Sequence, residues 1–97
     1  MSSPLDLYHD ALKDFKENHP DQAAQKLEQV LKNDPSFEDA YEALAVTLYT
    51  QKKYDAAIAV IRKWIQKFPN SHMAQTNLSR CYVAKDMILE AEQAQDE

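Results

Sequence analysis

The chain has 97 residues, enough for one small domain, and its formal charge of −5 argues against binding to nucleic acids or anionic membranes, which favour basic surfaces. It contains no glycine, which excludes glycine-rich phosphate loops and dinucleotide-binding fingerprints. No apolar run is long enough to span a membrane, and the N-terminal residues lack the apolar core of a secretory signal. We therefore predict a cytoplasmic protein that binds neither nucleic acid nor membrane.

The first two predicted helices cover residues 4–17 and 20–33. Ser3 before Pro4 is typical of a helix N-cap followed by the first helical position. Apolar residues in the first of these helices recur at i, i+3, i+4 and i+7, the spacing of one buried helix face: Tyr8, Ala11, Leu12 and Phe15. Pro35 ends the second helix.

The third and fourth predicted helices cover residues 37–51 and 54–67. Ser36, with Asp39 three residues later, predicts a capping box at the start of the third helix. The apolar spacing of the first helix returns in the third: Tyr41, Leu44, Ala45 and Leu48. Pro69 ends the fourth helix as Pro35 ends the second.

A fifth helix is predicted over residues 71–84 and a weaker sixth over 87–96, because the last segment is apolar at its start and mostly polar afterwards. The single cysteine, Cys81, excludes an internal disulfide. We interpret it as a small buried apolar residue on the fifth helix, since no histidine lies close in sequence to activate it.

The helices form a repeat of 34 residues. That shift aligns residues of buried type in the second and fourth helices and in the third and fifth: Ala23 with Ala57, Leu27 with Ile61, Pro35 with Pro69, Leu44 with Leu78 and Leu48 with Tyr82. The first helix matches the third at a shift of 33, so the first inter-helix turn is one residue shorter. We predict a single domain over residues 1–97, with units at about 4–37, 38–71 and 72–97.

The second unit resembles a tetratricopeptide repeat. The family places an aromatic, a leucine, a small residue and a further large residue on the first helix, and alanine, two apolar positions and a closing proline on the second. Here these are Tyr41, Leu44, Ala45, Leu48, Ala57, Ile61, Trp64 and Pro69. The resemblance implies an all-α, right-handed superhelical solenoid of antiparallel helix pairs, with two full units and a partial third.

The resemblance also implies a scaffold without catalytic or cofactor sites, whose first helices line a concave groove for a peptide or partner helix. We predict that ten residues line this groove: Asp39, Glu42, Val46, Tyr49, Thr50, Met73, Thr76, Asn77, Arg80 and Val83. The alternative, that they merely face solvent, stays open. Family members that clamp a C-terminal carboxylate use lysine and asparagine where the second unit has Glu42 and Val46, so that specialisation is not expected.

The residues carry no signal for catalysis. His9, His19 and His72 lie on different elements without the spacing of metal ligands. Neighbouring carboxylates near the C-terminus are typical of a solvated surface rather than of an acid–base pair, which needs a buried pocket. We predict no enzymatic activity, no cofactor and no metal.

The ends of the array carry apolar residues with no capping helix beyond them, and a solenoid unit does not bury its apolar face alone. We predict self-association, by end-to-end stacking or domain swapping, through Leu5, Leu7, Leu12, Leu78, Tyr82, Ile88 and Leu89. Two functions therefore remain: a scaffold that binds another polypeptide, or a structural homo-oligomer or filament with no separate client. A monomer with a frayed last helix, or a chain trimmed from a longer array, is a further alternative.

Overall fold

A computed structural model describes residues 3–95, and the side chains of residues 88–95 lie outside this description. Within it the chain forms helices only: α1 (Pro4–Lys16), α2 (Pro20–Asn33), α3 (Glu38–Thr50), α4 (Tyr54–Lys67) and α5 (His72–Gln95). The first four match the predicted helices to within one residue at either end. The all-α helical-repeat solenoid predicted from the sequence is confirmed.

The start of α1 agrees with its predicted cap and the start of α3 does not. Ser3 Oγ accepts a hydrogen bond from the backbone of Asp6 at 3.1 Å, and both halves of a capping box are present. The capping box predicted for Ser36 is wrong. The Ser36 hydroxyl donates instead to Asp34 Oδ1 at 2.7 Å, and the same oxygen accepts from the Ser36 backbone at 3.2 Å. The Asp34 carboxylate thus holds Ser36 in a local turn, so Ser36 does not cap α3. Phe37 is the N-cap instead.

The largest departure from the predicted elements is α5, one helix of 24 residues where two were expected. Asn18 and Lys52 adopt left-handed φ values of 66° and 63° in the turns that follow α1 and α3. The repeat equivalent of Lys52 is Asp86, which stays helical. No glycine or proline interrupts the chain there, and beyond Met87, Ile88 and Leu89 the segment is mostly polar, with too little apolar surface to stabilise a turn against local helix propensity.

The helices stack in sequence, and the first helices of the units lie side by side. Each helix packs on the next, while α3 also contacts α1 and α5. The core lies between the layer of α1, α3 and α5 and the layer of α2 and α4. Its largest fully buried side chains include Leu27, Val30, Ile61 and Trp64. Among the described helices, none covers the other face of the α1–α3–α5 layer.

A polar contact recurs between units. Asp21, at the start of α2, accepts a hydrogen bond from Gln51 Nε2 at 2.6 Å. Its repeat equivalent Asp55, at the start of α4, pairs with Lys85 Nζ at 2.7 Å. Each contact joins the start of one unit's second helix to the far end of the next unit's first helix. Both contacts lie at the surface, where such pairs contribute little to the free energy of unfolding. Their main effect is therefore on how one unit is oriented against the next.

The left-handed conformation of Lys52 gives a stability prediction. This conformation destabilises a residue with a Cβ by about 1 kcal/mol or more, whereas glycine adopts it without that cost. Because the Lys52 side chain is exposed, Lys52→Gly is expected to raise the free energy of unfolding by about 0.5–1 kcal/mol in urea denaturation. Asn18→Gly is the matched control and should gain less, because asparagine tolerates this conformation. A loss of stability in Lys52→Gly would contradict the argument.

Candidate functional site

A cavity opens between α1 and α3, on the layer formed by the first helices of the units. Its volume is about 190 Å³. The lining is mostly apolar and comes from α1, α2 and α3: Tyr8, Ala11, Leu12, Phe15, Leu27, Glu42, Ala43, Val46 and Thr47. The lining thus combines apolar side chains with one carboxylate, that of Glu42.

Aromatic side chains of α1 form much of the wall. Tyr8 and Phe15 are half-buried, and the Tyr8 ring packs against Phe37 with its centroid 5.0 Å away. Val46 of α3 is half-buried as well. The wall of the cavity is therefore formed in part by side chains that also pack against other residues of the chain.

Glu42 is the charged residue of this cavity. Desolvation raises the pKa of its carboxyl, the nearby charges of Asp39 and Glu38 raise it further, and Arg80 opposes them. Glu38 already accepts a hydrogen bond from Trp64 Nε1 at 2.9 Å. Among the described residues, no hydrogen bond or ion pair reaches the Glu42 carboxylate. The cavity therefore contains a partly desolvated acid that an incoming cation would stabilise.

The other predicted groove residues of the second unit lie apart from the cavity. Asp39 is exposed on the first turn of α3, and its charge also raises the pKa of Tyr8, after desolvation. Tyr49 is half-buried, with its ring edge-on against Tyr54 at 5.5 Å. Thr50 is exposed and its hydroxyl donates to the backbone carbonyl of Thr47. Of the five, only Glu42 and Val46 line the cavity.

The predicted groove residues of the third unit lie on α5 and none lines the cavity between α1 and α3. Thr76 and Arg80 are exposed, and Met73 and Val83 are 44% and 58% exposed. Asn77 is half-buried and its side-chain amide donates to the backbone carbonyl of Met73 at 2.8 Å. Arg80 is linked to the cavity through its charge, which lowers the pKa of Glu42.

Seven residues of the cavity were not predicted as groove residues: Tyr8, Ala11, Leu12, Phe15, Leu27, Ala43 and Thr47. Tyr8 and Phe15 occupy positions that repeat periodicity assigns to the core, and Leu12 aligns with the fully buried Ala45. Among the described residues, α3 has a first helix on either side, whereas α1 has only α3 beside it, so these side chains of α1 are partly accessible. Periodicity alone does not distinguish an end helix from an internal one.

The predicted self-association residues fall into three groups. Leu5, Leu12 and Tyr82 are 52%, 37% and 39% exposed. Leu7 and Leu78 are half-buried and pack against the core. The side chains of Ile88 and Leu89 lie outside the described residues. Exposed apolar side chains therefore occur on both α1 and α5.

The described residues also bear on metal binding and membrane insertion. No group of three or more histidine, cysteine, aspartate or glutamate side chains there has the arrangement of a metal site. None of the described helices combines the length and apolarity needed to cross a membrane. Cys81 is buried and reduced, as its interpretation as a small apolar residue requires.

Comparison with known proteins identifies the family. The family model described as Tetratricopeptide repeat matches residues 8–72, more than half of the chain. The matched region includes α1 from Tyr8 onward, α2, α3 and α4 and ends at the first residue of α5. No curated protein matches the chain. The match contains two consecutive helix pairs of the predicted repeat. The chain therefore belongs to the tetratricopeptide repeat family.

Proposed function

We propose that this chain binds a segment of another polypeptide along the layer of α1, α3 and α5. An apolar side chain of the partner would enter the cavity between α1 and α3, and a basic side chain would lie beside Glu42. Tetratricopeptide repeats generally mediate protein–protein interaction and typically serve as non-catalytic scaffolds. The observation that carries the finer proposal is the partly desolvated Glu42 carboxylate in an otherwise apolar cavity.

The charge of the partner follows from the surroundings of Glu42. Asp39 and Glu38 are close enough to raise its pKa, so the middle of the groove is negative, and Arg80 is the cation that opposes them. A partner carboxylate would be repelled here, whereas lysine or arginine would pair with Glu42 after displacing little water. The favoured ligand is therefore a segment with a large apolar residue close to a basic one.

Short synthetic peptides test this proposal. A fluorescent peptide that places leucine near arginine should bind, and the same peptide with glutamate in place of arginine should bind about tenfold or more weakly. Glu42→Gln should remove this preference and weaken binding of the arginine peptide by a similar factor. The same variant should raise the urea midpoint of the free protein, because desolvation and like charges disfavour the native carboxylate.

The matched control for the peptide experiment is Glu28→Gln. Glu28 is exposed on α2, on the opposite layer, and its replacement makes the same change in charge. It should leave peptide affinity unchanged. Equal binding of the arginine and glutamate peptides, or an equal loss in Glu28→Gln and Glu42→Gln, would contradict a groove site at Glu42.

A second candidate function is that of a structural homo-oligomer without a separate client. The observation that favours it is the exposure of apolar side chains on the end helices, including Leu5 on α1 and Tyr82 on α5. A surface of this kind is stabilised by burial against another molecule. The native mass at increasing protein concentration tests this candidate: a rise above 11.2 kDa supports it and a constant mass contradicts it.

A further inference from the structure

The surface beside α4 and α5 is uncovered where a sixth helix would pack. We define this end face by Ile58 and Arg62 of α4 and Leu78, Tyr82 and Lys85 of α5. Together with Asp55 and Ala59, most of these residues line a surface cavity of about 460 Å³. Within the described residues, α5 continues as one helix to Gln95 rather than turning back over this cavity.

Equivalent repeat positions show what the end face lacks. Leu44 and Leu48 of α3 are 2% and 7% exposed, in a helix that packs on α4. Their equivalents on α5 are Leu78, which is half-buried, and Tyr82, which is 39% exposed. The difference arises because α3 is followed by a helix on this side and, among the described residues, α5 is not. The end face is thus shaped for one more antiparallel helix.

The occupant that fits this position is the far half of α5 itself, supplied by a second copy. The helices α1 and α3 have 13 residues each and α5 has 24, so α5 extends well beyond the array from about Lys85 onward. On its own chain this segment points away from the end face. A two-fold axis across α5 near Asp86 would bring each extension over the end face of the other chain, in the antiparallel direction of a sixth helix.

Charge supports the same pairing. Residues 88–95 include two glutamates and no lysine or arginine. The end face contributes Arg62 and Lys85, with Asp55 as its acidic residue. Arg62 donates to the Tyr82 hydroxyl at 2.7 Å, and among the described residues no carboxylate pairs with it. An acidic extension therefore meets a surface that holds an unneutralised guanidinium.

We propose that two copies of this chain form a closed, two-fold symmetric dimer in which the extensions of α5 are exchanged and each covers the partner's end face. The proposal rests on the second candidate function and not on the groove. Because the same surface is used by both chains, assembly stops at two, unlike the end-to-end stacking that would build a filament.

The native mass distinguishes the outcomes. Light scattering during size-exclusion chromatography should show a mass that rises from 11.2 kDa and levels off at twice this value as concentration increases. Growth beyond twice the monomer mass would overturn the closed dimer while leaving self-association intact. A constant mass of 11.2 kDa would overturn both. Neither result bears on peptide binding at Glu42.

Two variants locate the interface. Tyr82→Glu should raise the dissociation constant of the dimer about a hundredfold, since it places a charge in the covered surface. Its matched control is Val83→Glu, an equally charged change at the next residue, which is 58% exposed and lies about 100° around the helix. Val83→Glu should dimerise like the unmodified chain. Loss of the dimer in Val83→Glu but not in Tyr82→Glu would overturn the proposed face.

Asp86→Gly tests the exchange of the α5 extensions without adding a charge to the end face. Its equivalent Lys52 turns the chain after α3 at a φ of 63°, a conformation that glycine adopts freely. The variant should let the extension fold back over its own end face, giving a monomer with near-unchanged helix content by circular dichroism. A dimer as tight as that of the unmodified chain would overturn the exchange, and this result stands even if Tyr82→Glu fails to fold.

Discussion

Replacing Trp64 with alanine is expected to lower the free energy of unfolding by about 3–5 kcal/mol, a large part of the stability of a domain this small. Trp64 is fully buried, and its ring is stacked on Tyr41 with an interplanar angle of 9°. Its Nε1 donates to Glu38 at 2.9 Å, so the variant loses a hydrogen bond as well as leaving a cavity. Urea denaturation followed by far-ultraviolet circular dichroism measures the loss.

Two controls separate the contributions of Trp64. Trp64→Phe keeps an aromatic ring but leaves Glu38 without its donor, and should cost less than alanine. Ile65→Ala, at the next residue of α4, truncates a half-buried side chain and should also cost less. If Trp64→Ala were no more destabilising than Ile65→Ala, Trp64 would not be the centre of the packing between α3 and α4.

The thiol of Cys81 is expected to react with a disulfide reagent about a hundredfold or more slowly in the native protein than in the urea-unfolded chain. Cys81 is 2% exposed, and burial raises the pKa of its thiol, with Arg80 opposing. A raised pKa leaves less thiolate at a given pH, so both accessibility and ionisation slow the reaction. Because Cys81 is the single cysteine, the rate reports the exposure of this one thiol on α5.

The dependence of labelling on stability provides the check. In Trp64→Ala the native rate should increase, since α5 packs on a weakened α4. Arg80→Gln, which removes the charge that favours the Cys81 thiolate, should slow the reaction slightly when compared at equal stability, since Arg80 also favours the Glu42 carboxylate. A native rate equal to that of the unfolded chain would show that α5 detaches from the array.

Local patterns predicted the first four helices well because each depends on residues close in sequence. The spacing of Tyr41, Leu44 and Leu48 requires only a helical period, and Pro4 and Pro35 mark boundaries through their own geometry. The prediction at Ser36 was wrong because its side chain had two possible local hydrogen-bonding partners, the start of α3 and the Asp34 carboxylate, and it bonds to Asp34. The sequence pattern alone does not indicate which of two nearby partners a side chain bonds to.

The candidate site was predictable in part. The repeat positions of Glu42 and Val46 indicated groove residues, and both line the cavity between α1 and α3. The wall supplied by Tyr8 and Leu12 was not predictable from the same rule, because among the described residues α1 has a neighbouring first helix on one side only. The desolvation of Glu42 likewise depends on neighbours from another helix rather than on its own sequence context.

By itself, the sequence determined the helical content, the period of 34 residues and the family, because these are encoded in short-range spacing repeated along the chain. Tertiary structure alone decided that the third unit is a single long helix, α5, because a turn at Asp86 would need a packed sixth helix to stabilise it. It also decided where the cavity and the end face lie. Both surfaces depend on which helix has a neighbour, and that is a property of the stack rather than of any one repeat.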